Sequence, residues 1–480
     1  MTLRVTSSTP LSRYNLLKIN NKNRYQTMDA IRGLAVCGIL FRNIFAFGIP
    51  TLAYSLPTIW SEGEWRDILS WAFVEVAIDG SMRALFSLLF GATAMLLLSS
   101  IDQVNIKIFD LYIRRSMWLM AFGLVHSLLL LCSFDVLFIY GLLGLFLVPF
   151  RNLSAKSLLV IAAAGIILSA IMLQFQTGNS DDGKSAQNNL IEQSLNVAQQ
   201  LAPETQRELE PETDVSSSSQ SETDRVETET EIELNLRDAN NQLLREYFSP
   251  IWMNEVEEMT QNYLPVMAAL ARLTLNNYST EVLTTHFADI GIMFFVGMAF
   301  LKMGVVTGAR SKLFYLLLCV AGYGLGLTIN IFETLSNYFL ITLNSQPPIW
   351  TAYSYDVGRI AMAFGHLGLI TLVIKLRWFS FLAMLFSAAG RMALTNYLLQ
   401  TIICISLFME FGFGLFGEFE HFDLLLIAFG IICLQLAMSV LYLRYFRTGP
   451  AEWLLRTLCN WNLNVGREPV SIQTSQDAGL

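Results

Sequence analysis

Residues 28–50 read MDAIRGLAVCGILFRNIFAFGIP, an apolar run that is long enough to cross a bilayer as a helix and carries polar groups at several depths. Asp29 and Arg32 are three residues apart, so they share one face where this helix begins. Asn43 follows Arg32 by eleven residues, which places both side chains on one face about 16 Å apart along the axis. Because polar groups inside a span usually face a protein interior or a wet cavity, the stretch predicts one wall of a polar cavity.

The composition is that of a membrane protein throughout. Of the 480 residues, 54% are hydrophobic and only 15% are charged, which favours a polytopic membrane protein over a soluble domain. Residues 1–28 are polar, and the first apolar run comes too late and is too long for a cleavable signal peptide. The six cysteines show no paired spacing, so we expect neither a disulfide framework nor a metal site.

Apolar windows and basic loops together predict the topology. Lys and Arg are concentrated in every second short loop, and the loops between them are acidic. By the positive-inside rule, this alternation places the basic loops and both termini in the cytoplasm. Lipid cannot satisfy the edge of a sheet, so every span is expected to be a helix. The predicted fold is an all-α polytopic integral membrane protein. Its ten transmembrane helices are expected at about 31–49, 82–100, 116–133, 135–150, 157–175, 287–301, 313–332, 357–374, 391–411 and 424–443.

One long loop, residues 176–285, divides the membrane part into a first half at 29–175 and a second half at 286–456. Residues 181–258 of this loop hold 19 acidic and 5 basic side chains. Its middle is rich in Ser, Thr and Glu, which predicts a largely disordered segment on the extracytoplasmic side. The remaining segments are two predicted cytoplasmic tails, at 1–28 and 457–480.

A histidine within a predicted span is the first candidate for chemistry. His126 lies in the third span, and Asp135 lies at the turn that follows it. A neutral imidazole can accept the proton of an alcohol or amine that attacks an acyl group, and a carboxylate can orient the imidazole. A buried membrane histidine can equally be a structural hydrogen bond between helices. Nine residues separate the two side chains, so the sequence leaves their contact open.

Two arginines that adjoin glycines, Arg32 and Arg391, lie near the predicted inner surface and begin polar helical faces. Arginine binds phosphate bidentately and stays charged in a poor solvent. We therefore expect these two residues, with Asp29 and Asn396 on the same faces, to bind a phosphate-bearing cofactor from the cytoplasm. Positive-inside anchoring is the simpler alternative for basic residues at this depth. The sequence contains no Gly-rich phosphate loop, nucleophile elbow or metal-ligand spacing.

Five segments of the chain resemble the bacterial YeiB-type family, also called domain of unknown function 418. They are DAIRGLAVCGILFRNI, SMRALFSLLFGATAMLL, GLVHSLLLLCSFDVLFIYGLLG, GRMALTNYLLQTII and GPAEWLLR. The resemblance covers nearly the whole membrane part in order and leaves out the acidic loop. This family is grouped with the transmembrane acyltransferase superfamily, whose members move an acyl group from cytoplasmic acyl-CoA to a sugar or similar acceptor. The resemblance therefore implies acyl-CoA as the donor substrate.

The resemblance also has one departure that bears on the base. The O-acyltransferase branch of the superfamily has an arginine and, after ten intervening residues, a histidine of catalytic type. Arg32 matches that arginine, but Asn43 stands at the histidine position. If the chain performs acyl transfer, the first span cannot supply the base, and His126 is the remaining candidate.

Three functions are compatible with these residues. In an acyltransferase, Arg32 and Arg391 would hold acyl-CoA, Asn43 would bond the acyl carbonyl, His126 would act as base or transient acyl carrier, and Asp135 would orient it. The alternative is a transporter or exporter of a small polar or anionic solute, lined by buried charges. A sensor or scaffold that uses the acidic loop is the third. We expect the lipid bilayer and a small-molecule acceptor as partners, no nucleic acid, and leave homo-oligomers open.

Overall fold

The computed structural model describes residues 21–61, 63–99, 106–179, 245–246, 248–277, 280–343 and 351–461. Within these ranges the regular structure is helical, and no strand is present. The all-α class predicted from the sequence is confirmed for this part of the chain. Most of both predicted tails and most of the acidic loop lie outside the described residues.

The helices are numbered here in chain order. They are α1 (Asn21–Gly48), α2 (Thr51–Ser55), α3 (Pro57–Trp60), α4 (Trp65–Phe73), α5 (Ser81–Ser99), α6 (Ile106–Leu128), α7 (Leu137–Phe146), α8 (Ala155–Asn179), α9 (Tyr263–Asn277), α10 (Thr280–Lys302), α11 (Lys312–Leu343), α12 (Thr351–Leu376), α13 (Ser380–Arg391), α14 (Ala393–Phe408), α15 (His421–Tyr445) and α16 (Pro450–Asn460). A π-helical turn, Val74–Ile78, lies between α4 and α5, and a 3-10 turn, Val148–Asn152, follows α7.

Several of these helices have the length and hydropathy of a membrane span. Five qualify among the described residues: Gln26–Gly48, Trp65–Ser99, Lys312–Ser336, Ser354–Leu376 and His421–Tyr445. A sixth is added if α13 and α14, which meet at 83°, form one broken span. Shorter apolar helices occur at Leu137–Phe146, Ala155–Ser169 and Tyr263–Leu275. The chain is thus a multi-pass integral membrane protein, while the number ten stays a prediction.

Helix α1 lies at the centre of the bundle. It packs against α5, α13, α14 and α15. The side chains of Val36, Leu40 and Ile44, which repeat every four residues, are fully buried. This spacing is the apolar stripe of a helix that faces neighbours along its length, and it explains why residues 28–50 organise the fold.

Two glycines allow α1 and α13 to touch backbone to backbone. A Cβ atom on Gly33 would lie 1.9 Å from the Phe386 carbonyl oxygen, and one on Gly390 would lie 1.8 Å from the Asp29 carbonyl oxygen. Membrane helices use small residues in this way to approach closely. Since Arg32 and Arg391 adjoin these glycines, the contact brings the two arginines to the same part of the bundle.

The break between α13 and α14 is stabilised from another part of the chain. Glu452, on α16, accepts hydrogen bonds from the backbone N–H groups of Leu394 (2.7 Å) and Thr395 (3.2 Å) and from the Thr395 hydroxyl (2.5 Å). These N–H groups belong to the first turn of α14, where no intrahelical acceptor exists. The segments GRMALTNYLLQTII (390–403) and GPAEWLLR (449–456) are separated by 45 residues of sequence, and these hydrogen bonds join them into one structural unit.

Helices α6 and α7 form a tight hairpin. The backbone of Leu131 is in the left-handed region, with φ at 57°, and the Cys132 N–H returns to the His126 carbonyl at 3.2 Å. A left-handed conformation costs a residue other than glycine roughly 1–2 kcal/mol. This turn folds Asp135 back toward the end of α6.

Candidate active site

A cavity of about 1050 Å³ lies where α1, α5, α6, α13, α14 and α16 come together. Three exposed basic residues on its wall, Lys302, Arg391 and Arg456, mark its opening. The wall also includes two buried side chains, Leu137 and Tyr397, each of which is 5% exposed. The cavity therefore combines a basic entrance with an apolar and aromatic interior, which is the usual lining of a small-molecule site.

Five cations line this cavity, and we call them the basic end: Arg32, Arg115, Lys302, Arg391 and Arg456. Arg32 pairs with Asp29 at 3.0 Å and donates to the Thr93 hydroxyl at 2.9 Å. The acidic residue among those that line the wall is Glu452. Its carboxylate accepts the backbone N–H groups at the start of α14.

In the described part of the chain, Arg32 is the one member of the basic end that has a carboxylate partner, whereas Lys302 and Arg391 donate to backbone carbonyls. Within the described chain, neither Arg115 nor Arg456 has a carboxylate oxygen within 4 Å of its guanidinium nitrogens. The charges of Arg32 and Arg456 both act on Arg115, so like charges lie near each other. Arginines in this arrangement favour a multiply charged anion such as a phosphate.

The structure brings His126 and Asp135 into direct contact. Asp135 Oδ1 lies 2.7 Å from His126 Nδ1, and both side chains are fully buried. The other carboxylate oxygen of Asp135 accepts the backbone N–H of Phe138 at 3.0 Å. A carboxylate held in this way fixes the proton on Nδ1 and leaves the lone pair of Nε2 free to accept.

The residue that contacts the accepting nitrogen, His126 Nε2, is one that the sequence analysis did not identify. Thr401 Oγ1, on α14, lies 2.8 Å from His126 Nε2, and Thr401 is 2% exposed. Asp135, His126 and Thr401 thus form a continuous carboxylate–imidazole–hydroxyl chain, which we call the relay. Nucleophilic enzymes activate a hydroxyl with the same three functional groups in the same order.

Tyr397 lies between the relay and the cavity. Its ring lines the cavity, and its centroid is 4.8 Å from the centre of the His126 ring. Tyr397 and Thr401 are four residues apart on α14, so they share one helical face. The relay is therefore one aromatic ring away from the cavity and does not line it.

Other predicted site residues are placed elsewhere. Asn43 is half-buried, about three turns along α1 from Arg32, and is not part of the cavity wall. Asn396 is buried, donating to the Ala389 carbonyl at 3.1 Å and to the Ser439 hydroxyl at 3.0 Å. Its position on α14 points it to α15, away from the cavity that Arg32 and Arg391 line. Asp29 reaches the cavity only through its bond to Arg32.

A second polar group consists of three arginines and three aspartates that are joined by four ion pairs. Its members, which we call the paired-ion cluster, are Arg42, Asp79, Arg83, Asp289, Asp356 and Arg359. Arg359 is 1% exposed, while the side chains of Arg42 and Arg83 are 34% and 30% exposed. The cluster thus contains one fully buried arginine and two that are partly exposed.

Comparison with known proteins shows which family and which relatives the chain is similar to. Residues 300–462 match the family described as protein of unknown function DUF418. The uncharacterized protein YeiB of Escherichia coli (strain K12) is 28% identical over 91% of this chain and 96% of its own length. The chain is thus similar to YeiB over most of its length and to the DUF418 family over residues 300–462. The uncharacterized protein YxaH of Bacillus subtilis (strain 168) is 26% identical over 91% of this chain and 95% of its own length. No solved structure matches the chain.

The range that matches the family model supplies several residues of the site. In this YeiB-like chain, residues 300–462 contribute Arg391, Tyr397, Thr401 and Glu452. The first half contributes Arg32, His126 and the other residues of the relay and the basic end. The site is therefore assembled from both halves of the membrane part.

Replacing Gly123 with alanine tests the packing behind the relay. A Cβ atom on Gly123 would lie 2.3 Å from the Phe138 backbone nitrogen and 2.6 Å from Asp135 Oδ2. We expect an apparent free energy of unfolding lower by about 1–3 kcal/mol, the usual cost of overpacking. Thermal unfolding of the detergent-solubilised protein measures it. Gly430→Ala is the matched control, because nothing lies within 4 Å of its Cβ position; equal melting of the two variants would contradict the packing argument.

Proposed function

We propose that this protein is an acyltransferase of the bacterial inner membrane, which moves an acyl group from cytoplasmic acyl-CoA to a small polar acceptor such as a sugar. One observation carries the proposal. A cavity of about 1050 Å³ has a basic entrance with three arginines that lack a carboxylate partner among the described residues, and it ends one aromatic ring from the relay. The phosphates of the donor would lie among Arg32, Arg115, Arg391 and Arg456.

The chemistry proposed for the relay follows from its hydrogen bonds. Asp135 holds the Nδ1 proton of His126, so Nε2 can take a proton from an attacking hydroxyl or amine. The same nitrogen can then return that proton to the leaving thiolate. A rotation of Tyr397 would admit the thioester, in the manner of the gating side chains of other enzymes.

The proposed topology is the one predicted from the sequence. Ten spans, both termini in the cytoplasm and one long acidic extracytoplasmic loop would put the basic end at the cytoplasmic surface. That orientation supports a donor that enters from the cytoplasm. The paired-ion cluster would then lie nearer the opposite surface, where an acceptor could arrive.

The test uses purified full-length protein in proteoliposomes with acetyl-CoA as donor and hydroxylamine as a general acceptor. We expect release of the CoA thiol to require the protein and to be faster when hydroxylamine is present. A thiol assay measures the release, and mass spectrometry identifies the acetylated product. Binding of acetyl-CoA too weak to detect at millimolar concentration, together with no thiol release, would refute the proposal.

A transporter is the second candidate, and the paired-ion cluster favours it. Buried charges that stay partly open, as Arg42 and Arg83 do, are typical of solute or proton pathways. A transporter predicts flux of an unmodified solute and no consumption of the thioester. Measuring uptake of anionic solutes into the same proteoliposomes, with thiol release followed in parallel, separates the two functions.

A further inference from the structure

Among the residues that the structure describes, Thr401 supplies the one hydroxyl that His126 bonds directly. Thr401 Oγ1 is 2.8 Å from Nε2, within the range of a donating O–H. With the Asp135 carboxylate at Nδ1, the neutral imidazole carries its proton on that nitrogen, and in this tautomer the Thr401 hydroxyl donates to Nε2. This is the tautomer and the direction of bonding in which an imidazole activates a nucleophile.

A thiol also lies beside the imidazole and is an alternative nucleophile. Cys132 is close enough to His126 to interact with it electrostatically, and it is fully buried. The geometry favours Thr401 for two reasons. Its hydroxyl lies 2.8 Å from Nε2, and it stands on the α14 face that carries Tyr397 to the cavity.

We propose that Thr401 is acylated during turnover, so that the enzyme works through an acyl-threonine ester; this inference rests on the proposed function. Thr401 Oγ attacks the thioester carbonyl carbon while its proton passes to His126 Nε2. The carbon–sulfur bond breaks, and the CoA thiolate takes that proton and leaves as the thiol. In the second half the acceptor hydroxyl or amine attacks the ester, gives its proton to Nε2, and the Thr401 oxygen regains it as it leaves.

The covalent step explains one feature that direct transfer does not require. Thr401 and His126 are both closed off behind Tyr397. An acyl-enzyme in such a place can release the CoA thiol toward the basic end before the acceptor arrives, so the two substrates never have to share the closed site. Direct transfer would need donor and acceptor there together.

The experiment is a single turnover of the full-length protein with acetyl-CoA in the absence of acceptor, stopped by acid at a series of times and digested for mass spectrometry. We expect an acetyl group on the peptide that contains Thr401, and its loss when hydroxylamine is added before the acid. Thr401→Val should carry no label and should turn over at least about 10³-fold more slowly, whereas Thr401→Ser, which keeps a nucleophilic hydroxyl, should still be labelled at that position. Melting temperatures of the two variants check that each is folded.

Three results would overturn this assignment. They are a label on Cys132 or His126, no label on Thr401 at any time point, and turnover by Thr401→Val within about tenfold of the unmodified protein. Each of these can occur while wild-type protein still releases thiol, in which case the acyltransferase function stands and only the acyl-threonine fails. Absence of thiol release from the wild type would instead refute the function itself.

Discussion

His126→Gln should lower acyl transfer by about 10²–10⁴-fold, the usual contribution of a positioned general acid or base. Glutamine can keep a hydrogen bond to Asp135 or Thr401, but it cannot take a proton from either substrate or nucleophile. The effect should fall on kcat, because His126 does not line the cavity and so does not contact bound donor directly. Thiol release from acetyl-CoA in proteoliposomes gives kcat and KM for both proteins.

A second span histidine supplies the matched control. His366 is also held at both ring nitrogens, by the Tyr323 hydroxyl at 2.8 Å and the Ala77 carbonyl at 2.9 Å. His366→Gln removes the same imidazole from a comparable environment outside the relay, so it should leave kcat within a few-fold of the unmodified protein. If both variants lose activity equally, buried histidines act here through structure alone, and the assignment of His126 as the base fails.

The sequence predicted the parts of this site that depend on residue type and helical spacing. Arg32 and Arg391 were identified because each adjoins a glycine and begins a polar face. Both line the cavity, and Gly33 and Gly390 explain why, since their backbone contact joins α1 to α13. The all-α class followed from hydropathy alone, because lipid admits little else.

Other features depended on contacts that spacing does not encode. The meeting of His126 with Asp135 requires Leu131 in the left-handed region, a conformation that leucine does not signal. Thr401 was passed over because its partner lies 275 residues away in sequence. Asn396 was expected at the cavity, but it lies on a different face of α14 from Tyr397, and one residue along a helix is a turn of about 100°.

Arg115 and Arg456 show the same limit for charges. From the sequence, each is explained as a positive-inside anchor, because basic residues are common at the cytoplasmic ends of membrane spans. Only the fold reveals that α6 and α16 bring them to one cavity, where neither guanidinium has a carboxylate oxygen within 4 Å among the described residues. An anchor and a ligand-binding arginine differ in what lies opposite the guanidinium, and a sequence does not contain that information.

The double variant Arg115→Gln, Arg456→Gln should raise KM for acetyl-CoA by about 10²-fold or more. A hydrogen bond to a charged group contributes about 1.5–3 kcal/mol, and about 1.4 kcal/mol corresponds to tenfold in affinity. The change should be confined to KM, because neither arginine contacts the relay. Raising the ionic strength should weaken donor binding by the unmodified protein and have less effect on the variant.

Two comparisons make this prediction specific to phosphate recognition. Arg114 adjoins Arg115 but donates to the Cys459 carbonyl at 3.2 Å, pairs with Asp110 and does not line the cavity, so Arg114→Gln should leave KM unchanged. A short thioester without phosphates, S-acetyl-N-acetylcysteamine, should be a poor substrate for the unmodified protein and the double variant alike. If the double variant loses this substrate as severely as acetyl-CoA, the two arginines support the fold of the cavity and do not bind the donor's phosphates.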